Sequence, residues 1–343
     1  MTTIFPVPEM EIRDLGNLTE HRPVALVTGS RSWNSVSALV ELPIVVQAEP
    51  DRVDVSYLDT LSNAIPPQVE VIYGVGGGLV SDVAKYIGWR KELPVVVIPT
   101  VLSQDGFFTS LVAARQGGTT HYVETGPVSK LIVNWDVIRT APPHVRGAGI
   151  IELLTIVTGL LDWRYAAEHN KTTVETRFQP WAAGIMAGIA QQAFKIAAGV
   201  GKGNVEALRN LLDLLCLEVQ LTNQLGHNRP QEGAEQLFAY AYEQKFPRSR
   251  PLPYADRVGP GLLIAAALHG QDVGPIRDTL ASAGIRLDQL PANNVRDTLK
   301  ILPEYVRKHD LPFTILNDLD LTSERVEEIM DQTGLAASVG AIS

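Results

Sequence analysis

One cysteine, Cys216, in a chain of 343 residues leaves no partner for an intrachain disulfide and no thiolate cluster to hold a metal. That scarcity fits a reducing compartment. A basic surplus is missing as well: 29 Lys and Arg against 38 Asp and Glu give a formal charge of -9. This excludes a broad nucleic-acid-binding surface and leaves room for a local anion pocket, so a small phosphorylated ligand stays compatible with the chain. Residues 1–6 show no basic stretch followed by an apolar run and a cleavage site, so no secretory leader is expected. Apolar runs such as residues 261–268 are too short to span a bilayer. The expectation is a cytoplasmic protein with neither membrane nor nucleic acid as partner, and no internal repeat or low-complexity tract is visible.

With 45% hydrophobic and 20% charged residues, the chain has enough apolar side chains for a substantial core, and its length suits two domains. Short apolar runs at residues 23–29, 42–47, 69–73 and 94–99 read as strands separated by helix-length segments. That alternation predicts an α/β domain with a parallel sheet covered on both faces. After Ala141-Pro142-Pro143 the texture changes. Helical length or periodicity marks residues 150–169, 182–198, 204–225, 233–244, 256–269 and 323–332, with a shorter helix at 275–283 and one at 295–308 expected to break at Pro303. Residues 1–145 are therefore expected to form a nucleotide-binding α/β domain and residues 146–343 an all-helical domain, with a cleft between two lobes.

The glycine run Gly74-Val75-Gly76-Gly77-Gly78 lies at the carboxyl end of the third strand and leads into a helical segment, residues 79–88. Small residues there let a backbone approach phosphate, and the free amides of a helix start supply anion donors. Gly76, Gly77 and Gly78 are thus candidate cofactor contacts, with a tight structural turn as the plainer alternative. The run matches neither a full G-x-G-x-x-G spacing nor a Walker motif. Asp82 is available to hold a polar group or to favour the positive helix end. Lys85, one turn later, has phosphate or solvent as its choices.

The loop Pro99-Thr100-Val101-Leu102-Ser103-Gln104-Asp105-Gly106 follows the fourth strand, where α/β proteins place ligands. Thr100 and Ser103 are candidates to anchor a cofactor, or hydroxyls that bond their own loop. Asp105 is a candidate to accept a substrate hydroxyl, or the first residue of an Asp-Gly turn. His227 and His269 form no close sequence pair, and a structural role is the plainer reading of each.

Several motifs in order carry a resemblance. Gly76-Gly77-Gly78-Leu79-Val80-Ser81-Asp82-Val83-Ala84-Lys85, Pro99-Thr100 with Asp105-Gly106, Asp162-Trp163, and Asn228-Arg229-Pro230 with Gly233-Ala234-Glu235 together resemble the sn-glycerol-1-phosphate dehydrogenase family. That family stands with glycerol dehydrogenases, iron-containing alcohol dehydrogenases and 3-dehydroquinate synthases, and the resemblance spans roughly residues 20 to 270. It implies a dehydroquinate synthase-like fold, a nicotinamide cofactor (NAD or NADP), an active site between the domains and a small polyol or polyol phosphate as substrate. A homo-oligomer is compatible with it.

The same resemblance implies a divalent metal held by one carboxylate and two histidines, and here the chain departs from the pattern. Glu152 stands at the aspartate position, Gln236 at the first histidine and Tyr254 at the second. A glutamine is a weak neutral ligand and a tyrosine must lose its proton to ligate, so no conventional zinc or iron site is expected. Asp105, Glu152 and Tyr254 are then the candidate catalytic groups, with Asp105, Gln236 and Tyr254 meeting substrate. Two other readings stay open: a nucleotide-binding pseudoenzyme, and a cofactor-dependent transformation of the 3-dehydroquinate synthase kind.

Overall fold

The computed structural model describes residues 4–117, 119–247 and 252–337; the first three residues of the opening segment lie outside these. The chain divides at Pro142 and Pro143 into two compact units.

The first unit is built on a parallel sheet. Its strands are β1 (Glu9–Ile12), β2 (Val24–Thr28), β3 (Ile44–Ala48), β4 (Val71–Gly76), β5 (Val95–Pro99) and β8 (Lys130–Val133), in the order β1-β8-β5-β4-β2-β3. Every residue of β2, β4 and β5 is buried, as expected for strands covered on both faces. The outer strands β1 and β3 are largely exposed, and β1 carries Glu9 and Glu11, which pair with Lys130 of β8 at 3.3 and 2.7 Å. Charge on an edge strand discourages pairing with another chain. Leu15, Val24, Leu26, Tyr73, Val75, Ile98 and Ile132 belong to the core of this unit.

The helices α1 (Ser30–Val36), α2 (Val55–Asn63), α3 (Gly78–Lys91) and α4 (Trp135–Thr140) complete the alternation. Two further strands, β6 (Leu111–Gln116) and β7 (Thr119–Glu124), form a separate antiparallel hairpin, with Gly117 at its turn at φ +62°. Lys85 ties α3 to this hairpin: its ammonium donates to the carbonyls of Thr109 and Leu111 and pairs with Asp82 at 3.3 Å.

The second unit is helical: α5 (Pro143–Arg146), α6 (Ala148–Glu168), α7 (Pro180–Gly201), α8 (Val205–Leu225), α9 (Ala234–Lys245), α10 (Tyr254–Leu268), α11 (Gly274–Ser282), α12 (Ala292–Lys308) and α13 (Ser323–Thr333). Residues 143–168 have the length and apolarity of a membrane span, but 72% of their most apolar 18-residue stretch is buried inside the fold, the position of a core helix. The break expected at Pro303 does not occur, and α12 runs through it without interruption. Its face of Val295, Leu299, Leu302 and Val306 is buried in the core of this unit, and that burial outweighs the cost, about 3 kcal/mol, of a proline inside a helix.

Candidate active site

The glycine run is where β4 becomes α3. Gly74 and Gly76 lie within the strand, Gly77 is the extended N-cap and Gly78 is the first helical residue. Side chains have no place here. A Cβ on Gly76 would stand 2.7 Å from Val80, and one on Gly78 would stand 2.2 Å from the Gln104 side chain. At Gly77 it would meet Val101 at 3.2 Å and Ser103 at 3.4 Å. Strand order reverses beside β4, since β2 is followed by β3 on one side and β4 returns on the other. The crevice at the carboxyl ends of β2 and β4 is therefore the switch point where such sheets take ligands. The open start of a fourteen-residue helix there suits the diphosphate of a nicotinamide dinucleotide.

The loop after β5 lines the same end of the sheet. Thr100 N donates to Gly76 O at 3.1 Å, and Thr100 Oγ1 donates to Ser32 Oγ at 3.2 Å. Ser103 Oγ accepts from Gly78 N at 3.4 Å. Thr100 and Ser103 are thus brought against the cradle. Asp105 begins a short 3-10 turn and is half-buried, and its carbonyl accepts from Phe108 N at 2.8 Å. Asp82 is buried, and its carboxyl is pushed up by desolvation while Lys85 opposes the shift. Its recorded partners, Lys85 and the Ala113 backbone, lie in the packing of α3 on the hairpin.

One residue of this crevice escaped the sequence reading. Glu49, just past β3 and exposed, accepts from Ser30 N, the first amide of α1, at 3.0 Å. Its spacing was the available signal: an acidic residue about twenty positions after the first βα turn is where ribose hydroxyls are read.

In the second unit Glu152 lies in the second turn of α6, buried among Ile150, Ile151, Leu153 and Leu154. It is brought to Glu218 of α8, with carboxylate oxygens within 4.8 Å of one another. Glu218 was also missed, although a glutamate between Leu215 and Thr222 in the buried stripe of a helix is an irregularity that the pattern displays.

Gln236 on α9 and Tyr254, the first residue of α10, meet directly: Gln236 Nε2 donates to Tyr254 Oη at 2.7 Å. The two positions close on each other, and neither presents an imidazole lone pair. Glu152 and Glu218 offer hard carboxylate oxygens only. A zinc or iron centre built on two histidines does not fit these residues.

The remaining motif residues form a buried polar network. Asp162 Oδ2 accepts from Ala234 N at 2.7 Å, and Asp162 Oδ1 accepts from Ile315 N at 2.8 Å and pairs with His269 Nε2 at 2.9 Å. Arg229 donates to the Asp162 carbonyl at 3.4 Å and to the Phe313 carbonyl at 2.6 Å. Glu235 accepts from Gly233 N at 2.8 Å and Thr158 Oγ1 at 2.7 Å; burial, with Asp162 adding to it, pushes its carboxyl up to about 8. His227 packs edge-on to Trp163, and burial lowers its imidazole to about 4. His269 is committed to Asp162, so both histidines have structural partners.

Residues 15–142 match the family model of iron-containing alcohol dehydrogenases. The glycerol-1-phosphate dehydrogenase [NAD(P)+] of Aeropyrum pernix is 31% identical over 274 residues, 79% of this chain and 76% of that one. That of Thermofilum pendens is 29% identical over 346 residues, covering 96% and 94%. Among solved structures, a probable glycerol dehydrogenase from Sinorhizobium meliloti superposes with a TM-score of 0.70 at 16% identity, over 99% of this chain and 100% of the other. An iron-containing alcohol dehydrogenase from Corynebacterium glutamicum gives 0.65 at 16% identity, over 100% and 98%, and establishes the same fold. The molecule has the fold of the iron-containing alcohol dehydrogenases. By its likeness to the Aeropyrum enzyme, the chain belongs to the glycerol-1-phosphate dehydrogenase family.

Proposed function

We propose that this protein is an NAD(P)-dependent oxidoreductase that interconverts a secondary alcohol and a carbonyl in a small polyol or polyol phosphate, without the family's histidine-held metal. The observation that carries the reading is the cradle at Gly76, Gly77 and Gly78, which side chains would fill and which opens onto the start of α3. Relatives named as glycerol-1-phosphate dehydrogenases support the substrate class.

In this reading Gly76, Gly77 and Gly78 hold the cofactor diphosphate through backbone amides, with Thr100 and Ser103 shaping the loop against it. Asp82, paired with Lys85, holds α3, whose first turn forms the cradle, on the β6–β7 hairpin. Asp105 orients substrate hydroxyls. Glu49 accepts from the adenosine ribose hydroxyls and repels a 2′-phosphate, which favours NAD. Bound cofactor supplies hydride chemistry, and the protein must move one proton at the substrate oxygen. Tyr254 does this, its Oη held by Gln236, and Glu152 lines the same reaction centre.

The test is a spectrophotometric assay of purified protein against glycerol, glycerol 1-phosphate and related polyols with NAD and NADP. Formation of reduced nicotinamide with at least one of them is expected. Cofactor binding with no turnover on any polyol or polyol phosphate would replace this reading with a noncatalytic one.

A further inference from the structure

Resting on the oxidoreductase reading above, we propose that Arg257 is a positioning residue: the fixed cation, one helical turn after Tyr254, that favours proton exchange between the Tyr254 phenol and the substrate oxygen. A metal-dependent alcohol dehydrogenase stabilises developing alkoxide with a cation. With Gln236 and Tyr254 in place of the two histidines, the charge has to come from elsewhere in the second unit.

Arg257 is built for that position. Its side chain is only 14% exposed, and it is held at both ends: Nε donates to the Leu252 carbonyl at 3.1 Å, and the guanidinium pairs with Glu243 of α9 at 2.8 Å. Tyr254 and Arg257 stand at an i, i+3 spacing in the first turn of α10, so they share one face of the helix. Burial lowers the guanidinium to about 10, and Tyr254, then Tyr240 and Asp256, oppose that shift electrostatically. Ion pairing with Glu243 offsets part of the desolvation and keeps the cation in place. The start of α10 adds partial positive charge at the same spot.

The chemistry balances with the groups named. In the reducing direction, hydride with its electron pair moves from the nicotinamide to the carbonyl carbon. The C=O π pair moves onto oxygen, and that oxygen takes the proton of Tyr254 Oη. The phenolate, stabilised by Arg257, is reprotonated from water. The oxidising direction runs through the same steps in reverse, with a phenolate at Tyr254 as base.

Gln236 on α9 holds the Tyr254 phenol oxygen; Tyr254, Tyr240 and Asp256 act electrostatically on Arg257, Glu243 pairs with it, and Arg286 and Asp288 act on Asp256. Charges on the other helices that pack against α10, such as Glu152 and Asp162 on α6, Arg277 on α11 and Glu327 on α13, are unchanged in the variants compared.

Fluorine NMR of the full chain carrying fluorotyrosine at position 254 follows the phenol directly, with no turnover required. Replacing Arg257 by glutamine (Arg257→Gln) is expected to raise the titration midpoint by about one pH unit, a tenfold change in proton affinity. Glu243→Gln frees the guanidinium from its counter-charge and is expected to move the midpoint downwards. The kcat limb of the same variants should shift in the same directions, with KM little changed. If Arg257→Gln does not fold, Glu243→Gln alone decides: an unmoved or raised midpoint overturns the assignment. An unmoved midpoint in a folded Arg257→Gln does the same. Loss of nicotinamide binding in unmodified protein, by contrast, would strike the oxidoreductase reading while leaving the titration interpretable.

Discussion

The side-chain amide of Gln236 donates to the phenol oxygen of Tyr254 at 2.7 Å, joining the two positions at which the family resemblance implies metal-binding histidines. Direct bonding between the two replacements fixes one phenol oxygen at the start of α10. Turnover should accordingly survive dialysis against a strong chelator. Tyr254→Phe removes the proton donor and should lower kcat by about 10²–10⁴-fold while leaving cofactor affinity intact. Loss of activity on chelation, with recovery on adding zinc, would contradict this.

Asp162 joins four parts of the second unit: α6, the start of α9, His269 after α10, and the turn at Ile315. Asp162→Ala leaves two buried amides and a buried imidazole without their acceptor. The expected loss of stability is about 3–5 kcal/mol, read from the midpoint of urea unfolding. A change below about 1 kcal/mol would mean that water replaces the carboxylate at no cost.

Two buried groups set opposite limbs of the stability profile. Burial raises Glu235 from 4.5 to about 8, so the folded state holds its proton more tightly than the unfolded chain does. That contribution is complete below pH 4.5 and is lost as pH rises towards 8. Burial lowers His227 from 6.5 to about 4, so its contribution is complete above pH 6.5 and is lost as pH falls towards 4. Thermal unfolding across this range should show Glu235→Gln flattening the alkaline limb selectively. An alkaline limb unchanged in that variant would remove Glu235 as its source.

Much of the fold is legible in the sequence because local patterns decide it. The runs at residues 23–29 and 94–99 contain β2 and β5, and the helical patterns between 150 and 269 overlap α6 to α10, with ends displaced by up to three residues. The edge strand β1 and its neighbour β8 were not legible: β1 is four residues with charge at alternate positions, and β8 is as short. The β6–β7 hairpin did leave a signal, the Gly117-Gly118 pair between two strand-like runs. Pro303 misled because the sequence displays the cost of a proline and not the buried face that outweighs it. In the site, glycines and hydroxyls cluster along the chain and can be read there. Gln236 with Tyr254, Glu152 with Glu218, and Glu243 with Arg257 are joined by helix packing, which sequence spacing alone does not reveal.

Glu49 at the first amide of α1 should make the protein prefer NAD. Glu49→Gln removes the charge that repels a 2′-phosphate and should improve NADP affinity by about tenfold, with NAD affected less. Equal affinity of the unmodified protein for both cofactors would show that Glu49 does not read the ribose.

The central claim is that the turn from β4 into α3 is a dinucleotide cradle. Isothermal calorimetry of the purified chain with NAD and with NADP tests it most directly, paired with Gly77→Val, whose side chain would press on Val101 and Ser103. Binding of at least one nicotinamide dinucleotide at one site per chain, weakened at least tenfold in a folded Gly77→Val, is the expected result. No heat of binding with either cofactor, or equal affinity in the variant, would contradict the account.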